Sequence, residues 1–154
     1  MNCPASASAC KFEDDGSGKV FKMRLIPEDL DETKLKGATK KMALETIKLV
    51  DGLPRSKSAE VLGRQLLRSA TSVAANYRAA CRSRSDAEML AKMGVVEEEA
   101  DETCLWLELL LESGVCSGDS ATDLHAEFSR MTGIAVASRR TLRKGIGKRG
   151  NVSR

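Results

Sequence analysis

Residues 65–85 read QLLRSATSVAANYRAACRSRS, and the way these side chains sort on a helix decides how the chain folds. At about 100° per residue, Leu66, Val73, Tyr77 and Ala80 share one side with Leu62 just upstream. Beside them, at spacings of four, three and four, runs a seam of small or amide residues: Gln65, Ser69, Ser72 and Asn76. Arg64, Arg68, Arg78 and Arg82 stand opposite the apolar side. The apolar side requires a core, the seam admits a close neighbour, and the basic side is left for water or an anion.

Working outward, this helix two starts near Ser56 and ends in Arg82-Ser83-Arg84-Ser85. There Ser85 and Glu88 form a capping box that starts helix three, so the two helices run antiparallel across a tight join. Helix three, Asp86 to about Ser113, carries the stripe Met89, Met93, Val96, Ala100, Cys104, Leu107 and Leu111. Upstream, helix one begins near Leu35, runs through Ala38, Met42, Thr46 and Leu49, and stops at Gly52 and Pro54. Downstream, Gly114 and Gly118 bracket a turn, and Ser120 with Asp123 offers a cap. Leu124, Phe128, Met131, Ala135, Ser138 and Leu142 then give helix four, ending at Gly145. The expectation is all-α: an antiparallel up-down-up-down four-helix bundle over residues 34–145. A disordered tail, 1–33, precedes it and a flexible basic tail, 146–154, follows.

Composition agrees with that class. A chain of 154 residues makes one domain, burying about two-thirds of its unfolded surface without a staple or cofactor. It is 42% hydrophobic but only 3% aromatic, which suits helices packed on aliphatic side chains. The five cysteines, Cys3, Cys10, Cys81, Cys104 and Cys116, are odd in number and form no CxxC pair. Free thiols in a reducing cytoplasm are expected. The N-terminal stretch has no apolar h-region, so no signal peptide is expected. No apolar run reaches the about 18 residues of a membrane span.

Charge is partitioned. Residues 55–85 carry seven basic side chains against one acidic, residues 86–113 one against nine, and residues 114–154 eight against three. Such blocks pair neighbouring helices and also present basic surface. Arg64, Arg68, Arg78 and Arg82, with Lys57, suit a phosphate backbone, as do Arg139, Arg140, Arg143 and Lys144 with Lys148 and Arg149 beyond the expected helix. The competing reading pairs the first set with acidic helix three, Arg68 with Glu97 or Glu98, and assigns the second to the helix macrodipole. With five aromatics in the chain, nucleic acid would be held by charge and shape, without base stacking.

Leu105, Trp106 and Leu109 lie off the core stripe of helix three. An end that is apolar nearly all round predicts an oligomer interface there. Ser69, Ser72 and Asn76 read as a structural packing seam, with Asn76 bonded across it. A serine nucleophile needs a positioned base, and the single histidine, His125, has no matching acid pattern. Glu97-Glu98-Glu99-Ala100-Asp101-Glu102 suggests a di-iron bundle only superficially, because no E-x-x-H motif exists. Neither catalytic nor metal-ligating residues are expected. Glu97 is expected to have an arginine partner.

The run Arg68-Ser69-Ala70-Thr71-Ser72-Val73-Ala74-Ala75-Asn76-Tyr77, with Arg84-Ser85 and Gly94-Val95-Val96-Glu97-Glu98-Glu99, resembles the bacterial 23S rRNA intervening-sequence proteins. That family is similar to the accessory variability determinant of diversity-generating retroelements. The resemblance covers about residues 35–143. It implies a four-helix protomer, a ring-like homo-oligomer (a pentamer) and no enzymatic activity. In the retroelement branch it also implies a basic surface engaging RNA or DNA and a reverse transcriptase. Ala79 stands where many members carry Glu, so no role of that carboxylate transfers. The function expected is a cytoplasmic scaffold or accessory subunit; the alternative is a homo-oligomeric protein-interaction module without nucleic-acid binding.

Overall fold

The computed structural model describes residues 31–150, with side-chain surroundings through residue 147. Four helices follow one another: α1 Glu32–Asp51, α2 Lys57–Ala80, α3 Asp86–Glu112 and α4 Asp119–Gly150. α1, α2 and α3 each start where a capping side chain satisfies a free amide. Asp31 accepts the Lys34 amide at 2.8 Å, which starts α1 three residues before Leu35. Ser56 caps α2 through the Ala59 amide at 3.1 Å. At α3 the expected box forms with one shift: Ser85 accepts the Glu88 amide, while Glu88 reaches back to the Arg84 amide.

Two boundaries differ from expectation. α4 begins at Asp119, so Ser120 lies inside the first turn and does not cap it. At the other end the helix passes Gly145 and continues to Gly150. Gly145 and Gly147 face open space, where glycine in a helix costs only about 1 kcal/mol relative to alanine. The basic run before them suits a helix C-terminus. Of the N-terminal tail, residues 1–30 lie outside the described residues, as do 151–154 of the C-terminal one.

The helices are arranged cyclically. Each packs on its chain neighbours and α4 closes on α1, while the diagonal pairs α1/α3 and α2/α4 do not meet. Antiparallel register follows from the cross-helix pairs. On α3 and α4, Cys104 meets His125 and Glu97 meets Arg139. On α2 and α3, Ser69 meets Thr103. The core runs the length of the bundle: Met42, Leu66, Val73, Met93, Val96, Leu107, Leu124, Phe128 and Met131 have essentially no exposure. Leu110 joins them and Leu111 remains half-buried, the reverse of the expected stripe. Spacings of three and four are both permitted from Leu107, and the α2 side takes the former.

At the α3–α4 turn, Gly114 and Gly118 have φ of 71° and 125°, backbone that favours glycine. No helix among the described residues is long and apolar enough to cross a membrane.

Candidate nucleic-acid interface

The eight basic residues that the sequence offers for nucleic acid divide into two groups. Three have carboxylate partners. Arg64 pairs with Glu60 on its own helix at 2.8 Å. Arg68 is an internal bridge: it bonds Glu102, lies 3.5 Å from Glu99, and meets Gln65 at 3.2 Å. Its acidic partners therefore lie further along α3 than the expected Glu97 and Glu98. Seam geometry explains this, because Ser69 meets Thr103 and so sets Arg68 beside Glu99 and Glu102. Arg139 bonds Glu97, the arginine partner expected for that acid, and lies flat over Gly94. Both bridges tie acidic α3 to its neighbours; of the first set only Arg68 pairs with α3, and Arg139 is held by an acid where the macrodipole was the competing account.

Arg78, Arg82, Arg140, Arg143 and Lys144 are exposed and have no carboxylate partner among the described residues. The antiparallel register brings all five to one end of the bundle, where α2 and α4 finish. Arg84, outside the original eight, joins them: its amide is held by Glu88 and its side chain is exposed. Because α2 and α4 are diagonal, the basic residues form two clusters facing away from each other. On the α4 side the cluster shapes an open groove of about 290 Å³, lined by Glu97, Val136, Arg139, Arg140, Arg143 and Lys144.

The packing seam is only partly as expected. Ser69 is buried at the α2–α3 contact, its Oγ 2.8 Å from Thr103 Oγ1, and Thr103 Oγ1 donates to the Glu99 carbonyl. Asn76 is half-buried and bonds within α2, to the carbonyl and hydroxyl of Ser72, both at 3.0 Å. The amide therefore closes on its own previous turn, an i, i+4 contact that needs no second helix. Of the apolar residues on α3, Leu105 and Leu109 are 46% and 39% exposed. Trp106 turns against the core, with its indole N–H buried and unpaired.

Cys104 and His125 come together, yet not as a catalytic pair. The thiol donates weakly to the His125 backbone carbonyl at 3.8 Å, while the ring bonds Glu108 at 2.8 Å on the surface. Burial pushes the Cys104 thiol up to about 12, the opposite of an activated nucleophile. The described residues contain no group of three or more His, Cys, Asp or Glu side chains placed to hold a metal.

Comparison with known proteins agrees with the four-helix fold. The model of the 23S rRNA-intervening sequence protein family matches residues 32–137. The chain belongs to that family. A crystal structure of a protein of unknown function from the S23 ribosomal protein family of Bacteroides thetaiotaomicron is similar, with a TM-score of 0.63 and 26% identity. The match covers 68% of this chain and 97% of that one. No curated protein matches. The family match stops before Arg139 and takes in Arg78 and Arg82. Thus the α2 cluster lies within the shared intervening-sequence protein region and the α4 cluster beyond it.

Proposed function

We propose that this chain is a non-enzymatic, cytoplasmic helical bundle that self-associates and binds RNA or DNA as a scaffold or accessory subunit, a reverse transcriptase being one partner of that kind. The observation supporting nucleic-acid binding is that Arg78, Arg82, Arg140, Arg143 and Lys144 stay exposed and, among the described residues, unpaired although nine acidic residues lie on the helix between α2 and α4. Counterion release from phosphates would supply the affinity, without base reading. The cytoplasmic assignment is supported by the odd number and scatter of the five cysteines, of which Cys81, Cys104 and Cys116 are unbridged. Self-association is supported by the uncovered leucines of α3, with Trp106 beside them.

Light-scattering mass and binding to a structured RNA, followed against salt, test this reading. Binding should weaken steeply as salt rises. Arg78→Gln/Arg82→Gln and Arg140→Gln/Arg143→Gln/Lys144→Gln should each lower the salt slope, by about 0.7 to 0.9 for every phosphate no longer neutralised. Arg64→Gln should change it little. If no RNA or DNA binds at low salt, the reading falls and the protein-interaction alternative, which the exposed leucines also favour, takes its place.

A further inference from the structure

Of the neighbouring helix pairs, α1 and α4 pack least closely. On α4, His125 and Arg139 reach Glu108 and Glu97 and so mark the side that meets α3. Glu127, Met131, Ile134 and Ser138, spaced by four, three and four, lie away from that side, towards α1. On α1, Val50 faces Gly63 of α2, which sets Lys34, Ala38, Lys41, Glu45 and Lys48 on the other flank, towards α4. Two carboxylates in this α1–α4 crevice are withdrawn from water. Glu127 is 3% exposed, with Arg130 at 3.2 Å, and Glu45 accepts from Lys48 at 2.7 Å with 22% of its side chain exposed. A glutamate on the flank of a helix whose neighbour stands off is ordinarily solvated, so the burial of Glu127 calls for a cover.

The chain that precedes Asp31 enters at the foot of this crevice. Residues 20–30, VFKMRLIPEDL, carry five apolar side chains in their first seven positions, with Lys22 and Arg24 among them and Glu28 and Asp29 after Pro27. Cross-helix contacts give the heights: Arg139 meets Glu97, Ser69 meets Thr103 and Gly63 meets Val50. Counted from these, Glu127 comes level with Val50, about 28 Å along α1 from Asp31, while Glu45 is about 21 Å and exposed Lys41 about 15 Å along it. At about 3.3 Å per residue, Lys22 reaches about 30 Å from Asp31, Arg24 about 23 Å and Glu28 about 10 Å. The acids thus come within side-chain reach of Lys41, and the cations come to the level of Glu45 and Glu127. We propose that residues 20–30 lie along the α1–α4 crevice, antiparallel to α1, as a strap whose apolar side chains cover Ile134 and whose charges pair in that order with the two walls. The strap precedes the region matched by the family model, which begins at residue 32. It runs on the side of α4 away from the groove formed by Glu97, Arg139, Arg140 and Arg143, so it is independent of the nucleic-acid reading.

Alkylation of a Met23→Cys variant of the full chain tests the strap, with the native Cys10 upstream of it as internal reference. Followed by peptide mass, the new thiol should react more slowly than Cys10 by about tenfold or more, because it is reached only when the strap opens. Lys41→Glu and Lys22→Glu/Arg24→Glu, added separately, each oppose like charges and should remove the difference. Glu28→Lys/Asp29→Lys on top of Lys41→Glu restores opposite charge, and the protection should return. Lys41 is exposed and the other positions precede α1, so the bundle is retained, which circular dichroism checks. Equal rates for the new thiol and Cys10 before any charge is changed overturn the strap. Protection that persists in Lys41→Glu, or is not restored by the compensating pair, overturns its seat between α1 and α4.

Discussion

Cys104 illustrates how burial sets the chemistry of one side chain. Its thiol, ordinarily near 9.0, is held protonated up to about 12 by desolvation, with Asp101 and Glu108 adding repulsion against the thiolate. In the unfolded chain the thiol ionises from about pH 9, so between there and about pH 12 the folded state binds more protons. The contribution is intact below that window and is lost as pH rises through it, by about 1.4 kcal/mol per pH unit. Tyr77, raised chiefly by its burial, adds to the same alkaline loss. Cys104→Ala should therefore show a shallower fall in urea midpoint from about pH 9 to about pH 11 than the wild type. Equal slopes would show that the thiol is solvated. That Cys104 is core was legible in its position on the apolar stripe of α3. Its meeting with the His125 carbonyl was not, because helical spacing on α3 carries no information about the register of α4.

At the scale of the elements, α1 and the turn that follows it approach α2 closely at Gly63. A Cβ there would stand 3.0 Å from Val50 Cγ1 and 3.3 Å from Leu53 Cδ1. Alanine favours the helix by about 1 kcal/mol, but Val50 is stiff at χ1 and sits on a packed backbone. Overpacking outweighs propensity, and Gly63→Ala should lower stability by about 1 kcal/mol net. Gly133→Ala on α4, where nothing lies within 4 Å, should raise it by a few tenths to about 1 kcal/mol. Chemical denaturation of the two variants reads both signs; stabilisation by Gly63→Ala would mean that the helices part without cost. Helix boundaries were largely legible, since caps such as Ser56 and Ser85 are local hydrogen bonds. The α4 end was not, because glycine facing open space weakens a helix without ending it.

Across the whole molecule, charges that the sequence groups together separate by role. Arg68 and Arg139 bridge acidic α3 to α2 and α4, whereas Arg140 on the next position projects to solvent. Removing Arg139 leaves the partly buried Glu97 unpaired, so Arg139→Gln should cost about 1–2 kcal/mol. Arg140→Gln should stay within about 0.5 kcal/mol. Denaturation midpoints compare the two, and equal effects would remove the distinction between bridging and free arginines.

Periodicity and capping, properties of residues within four positions of one another, determined from sequence alone that the chain makes four amphipathic helices with a core on their aliphatic faces. The family motif on α2 was equally readable, because it is carried by contiguous residues. Only the tertiary structure decided which arginines are bridged and which stay free among the described residues, that Asn76 bonds within its own helix, and that the basic residues form two clusters on diagonal helices. Those outcomes depend on the register and rotation of one helix against another, which the packing of all four sets together.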